Sequence, residues 1–207
     1  MKGESVSTEA LLLSTLHYGD TSLIVRWLSP GGGRFSTIAR GAHNPHSPFA
    51  GSLDLFFLCD VQYIAARGST SPSGGSPLHL LKEVHVLEPH VELRRDYSVL
   101  MTAHYFTALV EAMTEPESPL EEDYALLLKA LQYLTTHPAS LRLVERFELR
   151  LLTLHGMAPA PGQSPDDVLL SSHVDVPQGR VELMPLLRQA AEERERARKE
   201  APPPAEG

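Results

Sequence analysis

The sequence predicts an α+β chain, with a small closed β-barrel over residues 1–90 followed by an all-α helical bundle over residues 91–200. Three observations carry this prediction. Short apolar runs separated by turn residues fill the N-terminal part, which is the pattern of a small all-β unit. From Leu93 the apolar spacing changes to threes and fours, the period of a helix with one buried face. Prolines at 116, 119 and 138 then cut the remainder into segments of bundle-helix length.

Leu11-Leu12-Leu13 opens the first strand, and Tyr18-Gly19-Asp20 turns it. Ser22 to Leu28 is the second strand, and the Gly31-Gly32-Gly33 turn leads into a third, Arg34 to Ala39. Only Cys59-Asp60 divides Leu53–Leu58 from Val61–Ala66, so the two runs read as one long bent strand, which suits a closed barrel. The composition of Gly68–Pro77 cannot pack. It reads as a loop inserted between strands, because Leu78–Leu87 resumes strand character. A linker between domains is the alternative. About five strands in this length match a barrel of the OB type.

In the second half, Tyr97, Leu100, Met101, His104, Tyr105, Ala108, Leu109 and Ala112 mark one face of a first helix. Leu120–Leu134 is a second, ended by His137-Pro138, and Leu141–Leu154 a third, closed by His155-Gly156. Leu100, Leu109, Leu127, Leu131, Leu143, Phe147 and Leu151 are the expected core. Val168-Leu169-Leu170 and Val181-Glu182-Leu183 flank Pro177-Gln178-Gly179-Arg180 and read as a small hairpin. Leu183 to Lys199 is a last helix whose alternating charges suggest a solvated end, and residues 201–207 read as a disordered tail.

The formal net charge is −8, which argues against coating nucleic acid by bulk positive charge. Residues 1–80 carry five positive and five negative side chains, so any nucleic-acid contact must be a local patch. The lone cysteine, Cys59, excludes a disulfide within the chain and a cysteine-rich zinc site. No apolar run is long enough to span a bilayer, and the N-terminus lacks a signal core, so a soluble intracellular protein is expected.

Nucleophile-elbow, phosphate-loop and zinc-protease motifs are missing, which points away from an enzyme. His43 and His46 have the spacing of a ligand pair; no second pair sits at a matching local spacing, though folding could bring His17, His85 or His90 near. No metal or cofactor is expected. Arg34 and Arg40 are an even number of residues apart on one strand and share a face. Arg26 and Arg67 can join them from neighbouring strands, as guanidinium forks that match phosphate oxygens. Phe35, Trp27 and Tyr63 are flat faces for bases, or else barrel core. On the third helix, Arg142, Arg146 and Arg150 recur every four residues beside Phe147 and Leu151. That stripe suits an acidic, apolar-ended peptide, or else pairs internally with Glu145, Glu148 or Glu121-Glu122-Asp123.

Several ordered motifs resemble the RecO family of recombination mediators. They are Glu9-Ala10-Leu11-Leu12-Leu13 with Tyr18-Gly19-Asp20-Thr21-Ser22-Leu23-Ile24-Val25, then Gly33-Arg34, Ala39-Arg40-Gly41-Ala42 and Phe49-Ala50-Gly51-Ser52-Leu53. Leu93-Arg94-Arg95-Asp96 and the run from Arg146 to Pro159 are similar to the helical half of that family. The resemblance covers about Glu9 to Pro159. It implies a non-enzymatic DNA-repair protein, cytoplasmic and nucleoid-associated, that binds and anneals single-stranded DNA. It also implies partners: RecR, the C-terminal tail of single-strand-binding protein, and the recombinase RecA. His43-Asn44-Pro45-His46 stands where such proteins usually carry more basic residues. The four-cysteine zinc knuckle of many members has no counterpart here, and Val174–Val181 reads as the remnant of that hairpin. An interaction scaffold of the same fold with little DNA binding is the alternative.

Overall fold

The structure is a computed structural model that describes residues 4–66, 77–172 and 174–200, with 197–200 described by backbone alone. Five strands come first: β1 (Ser5–Tyr18), β2 (Ser22–Ser29), β3 (Gly33–Ala39), β4 (Leu58–Ile64) and β5 (Leu78–Glu88). They close into a barrel in the order β1-β2-β3-β5-β4. All neighbours are antiparallel except β3 and β5. A short 3-10 helix (Val91–Arg94) leads to α1 (Tyr97–Met113), α2 (Glu121–Thr136), α3 (Leu141–Leu154), α4 (Pro165–Ser171) and α5 (Gly179–Glu200).

Two expectations are corrected. Leu53–Phe57 is not strand: β4 begins at Leu58, and the preceding segment turns. Phe56 there takes a left-handed backbone, with φ 68°. The proposed hairpin at 168–183 is two helices instead. Ser164 caps α4 in a reciprocal capping box with Asp167, and Pro165 occupies the first turn, where its missing N–H costs nothing. The segment 67–76, with Arg67, and the tail 201–207 lie outside the described residues.

The strands sort their side chains by alternation. Ala10, Leu12, Val25, Trp27, Phe35, Cys59, Val61 and Tyr63 fill the barrel. Trp27 donates its indole N–H to Thr37 Oγ1 at 2.9 Å, so its polar atom is satisfied inside the barrel. On the opposite faces, Leu11, Leu28 and Leu58 join Leu13 and Phe56 in the same core as Leu93, Phe106, Leu109, Leu127, Leu131 and Leu151 of the helical half. Barrel and bundle therefore share one apolar core. Leu109, Leu127, Leu131, Phe147 and Leu151 are buried as expected, while Leu100 and Leu143 pack against that core and are partly exposed.

Polar contacts reinforce this seam. The β2–β3 turn packs on the α1–α2 connection, where Glu117 N–H donates to the Arg34 carbonyl at 2.9 Å and Leu120 N–H to the Pro30 carbonyl at 3.1 Å. Gly33 sits at φ +64°, and a Cβ there would fall 1.8 Å from the Ser118 carbonyl oxygen. Arg94 pairs with Asp54 at 2.8 Å and donates to the Leu55 carbonyl at 3.1 Å. Within the bundle, fully buried Glu148 accepts from Tyr105 Oη at 2.6 Å and Arg180 Nε at 2.8 Å, and Arg180 also meets Asp166 at 2.8 Å. This network ties the start of α5 to α1, α3 and α4.

Candidate nucleic-acid and partner interfaces

Strand register places the basic residues of the barrel. Ser14, Arg26 and Ser36 form one outward row across β1, β2 and β3. Leu16, Ile24, Ile38 and Leu80 form the next, an apolar row in which Leu16 is 56% exposed. Beyond it lie Tyr18 and Ser22, and Arg40 one residue past Ala39. Arg26 and Arg40 thus flank an apolar strip on the outer face of β1–β2–β3. Arg40, His43 and His46 are exposed, at one end of the barrel.

Arg34 shares that outward face but is not open as Arg40 is. Arg34 alternates outward with Ser36 and Ile38, as the strand period predicts. Its guanidinium, however, donates to the Thr114 carbonyl at the C-terminal cap of α1. It is half-buried, and its Nε has no hydrogen-bond partner. Burial pulls its pKa down, Glu111 and Glu115 pull it up, and Arg26 opposes them. Glu111 lies 3.8 Å from Arg26, and its carboxyl is pushed up by burial, with Arg26, Arg34 and His104 acting the other way. Arg34 thus clamps barrel to bundle, about 20 Å along the strand from Arg40 at ~3.3 Å per residue.

The aromatics considered for stacking are inside the barrel. Trp27, Phe35, Tyr63 and His79 form a continuous stack, with ring centroids 6.5, 4.9 and 4.9 Å apart in that order. Burial raises the Tyr63 pKa and lowers that of His79, whose Nδ1 accepts from the Ala66 N–H at 3.0 Å.

A second surface lies between α2 and α3. Arg142, Arg146 and Arg150 line an open groove of about 700 Å³ with Lys129, over Leu126, Tyr133, Leu143, Phe147 and Leu149. The three arginines are exposed and Phe147 is buried in the floor. None of these four cations forms an ion pair with a described residue. Of the carboxylates that were internal alternatives, two are engaged elsewhere: Glu148 by Arg180, and Asp123 by His155 at 2.8 Å. Lys129 and Tyr133 were absent from the sequence reading. Both lie on the exposed side of α2, and only the α2–α3 packing brings them to the stripe.

No helix among the described residues is long and apolar enough to cross a membrane. Residues 1–76 match the family profile Recombination protein O N terminal, and residues 94–161 match Recombination protein O C terminal. A DNA repair protein RecO from Syntrophus aciditrophicus is 31% identical over 153 residues, covering 74% of this chain and 56% of the relative. One from Desulfatibacillum aliphaticivorans is 30% identical, covering 76% and 59%. One from Myxococcus xanthus is 28% identical, covering 78% and 67%. The chain spans little more than half the length of the first of these. With both halves matched in chain order, over a barrel and bundle that share one core, the chain belongs to the recombination protein O family.

Proposed function

We propose that this chain is a recombination mediator: it holds single-stranded DNA on the outer face and open end of its barrel, and receives the C-terminal tail of single-strand-binding protein between α2 and α3. Annealing of complementary strands, and loading of the recombinase RecA together with RecR, follow from that pair of contacts in the proposed role. The observation that carries this reading is the α2–α3 groove, where four cations without an ion-pair partner among the described residues rim an apolar floor. An acidic peptide ending in an aromatic or aliphatic residue fits that chemistry, with carboxylates on the guanidinium forks and the apolar end on Phe147 and Leu143. On the barrel, Arg26 and Arg40 supply the phosphate contacts, with His43 and His46 beside them at the open end, while Arg34 holds the seam.

The test is a titration of labelled tail peptide against the wild-type chain and Arg146→Glu, beside a salt series with a fluorescent oligonucleotide. Tight peptide binding by the wild type and at least tenfold loss in the variant are expected. Each neutralised phosphate contributes about −0.7 to the slope of log affinity against log salt on a single strand, so a few arginines give about −2 to −3. Equal peptide affinity for both proteins, or none for the wild type, removes the tail assignment. A second reading, an interaction scaffold with little DNA contact, is favoured by the commitment of Arg34 to the α1 cap. Absence of oligonucleotide binding at low salt would select it.

A further inference from the structure

We infer that the stacked rings of His17 and His43, at the open end of the barrel, are the platform on which the barrel stacks nucleobases. This deepens the DNA-binding reading and rests on it. A groove that grips single strands needs flat faces as well as cations. Trp27, Phe35, Phe49, Phe56, Phe57 and Tyr63 are all buried. Among the described barrel residues, Tyr18 is the one exposed Phe, Tyr or Trp, at 42%. His17 and His43 are both exposed, and their rings lie 4.4 Å apart and within 6° of parallel.

Register puts these rings together. His17 pairs with Leu23, and Leu23 pairs with Ala39, after which the chain continues into Arg40. Tyr18 pairs with Ser22 one step further out. The ring pair and one arginine therefore share one end of the barrel, with Tyr18 on the opposite face of β1 from His17. The His43 side is held by its own backbone: His43 N–H donates to the Thr21 carbonyl at 3.0 Å. Asn44 N–H bonds to the Gly41 carbonyl and Ser47 N–H to the Asn44 carbonyl, each at 3.0 Å. Gly41 has φ +68°, and a Cβ there would lie 2.9 Å from the Asn44 side chain. A platform ordered in advance loses little freedom on binding.

A metal does not account for the pair. Imidazole lone pairs lie in the ring plane, and an ion about 2.1 Å from each nitrogen cannot lie in two parallel planes. No third ligand completes a site among the described residues. A stacked ring pair with a free outer face instead extends naturally by one more flat group, a base.

The experiment compares a fluorescent oligonucleotide with an abasic oligonucleotide of equal length and charge, bound by the full chain in EDTA. The wild type is expected to prefer the base-bearing strand by about tenfold, the effect of one or two stacked bases. His43→Ala and His17→Ala are expected to reduce that preference and leave the salt slope unchanged, while His43→Phe retains it. Equal affinity of the wild type for both strands overturns the platform and leaves DNA binding standing. An unchanged preference in both alanine variants, or its loss in His43→Phe, also overturns it. Failure to bind either strand overturns the platform together with the reading beneath it.

Discussion

Replacing Arg34 with alanine is expected to weaken the fold rather than the nucleic-acid contact. The guanidinium donates to the Thr114 carbonyl at the cap of α1, where the helix dipole concentrates negative charge. A hydrogen bond from a charged donor contributes about 1.5–3 kcal/mol. Half-exposure to solvent screens the charge, so the lower part of that range, about 2 kcal/mol, is the expected loss. For a chain of this size that is about 4–8 °C in Tm. The cation also holds down the Glu111 carboxyl, which burial pushes up. Because the folded pKa of Glu111 is raised, its contribution to stability is present below the unfolded carboxylate value and lost as pH rises through the folded value. Arg34→Ala raises that folded value further, so its deficit should be larger at pH 7 than at pH 4. Urea denaturation at both pH values measures this, with oligonucleotide anisotropy on the same samples and Arg40→Ala in parallel. Arg40→Ala should show the reverse pattern, a wild-type midpoint and weaker binding. An Arg34→Ala protein with a wild-type midpoint and reduced DNA affinity would mean that the guanidinium faces the strand, not the helix.

Gly33→Ala should be more damaging, by over 3 kcal/mol, since a left-handed backbone costs about 1–2 kcal/mol with a Cβ and this one also meets the Ser118 carbonyl; thermal denaturation checks it. His79 has a folded pKa lowered by burial, so the unfolded state takes up the proton first and stability falls as pH drops below the ordinary value of 6.5; His79→Phe should flatten that slope in denaturant titrations between pH 7 and pH 5. Arg180→Met should cost about 3 kcal/mol, because it leaves the fully buried Glu148 carboxylate without its cation; Arg180→Met combined with Glu148→Gln should recover part of the loss in the same assay. Cys59 is fully buried and its thiol is pushed up to about 12, so a thiol reagent should label it only in denaturant.

The barrel was legible because its alternation is local. Trp27 and Phe35 sit in strands whose central inward positions are apolar but for Thr37, and turn glycines at 19 and 33 mark the reversals. The first three helices announced themselves through period and caps in the same way. Strand parity also gave the outward face of Arg34, but parity says nothing about what covers that face. Only the approach of α1 to the β2–β3 turn turns that outward position into a seam. The groove was half legible: the arginine stripe is a property of α3 alone, whereas Lys129 arrives from α2 through tertiary packing. The misread region, 165–183, offered short valine and leucine runs around Pro177 and Gly179, which imitate a hairpin. The contrary signal was present in Ser164-Pro165-Asp166-Asp167, an N-terminal helix signature. The exposed His17–His43 stack was not legible because exposure at a strand's end depends on how far β1 overshoots the barrel.

The apolar seam formed by Leu11, Leu13, Leu28, Phe56 and Leu58 leaves no pivot between the two halves of the molecule. A strand on the barrel and a peptide in the α2–α3 groove would be presented at a fixed distance and angle. If the peptide belongs to a protein already coating the same strand, its tether either spans that fixed gap or fails to reach. Engagement of one contact then sets the local concentration of the other through geometry alone, with no shape change passing between them. Lengthening or shortening the tether becomes a ruler for the molecule, with the combined affinity peaking where its reach equals the separation built into the shared core.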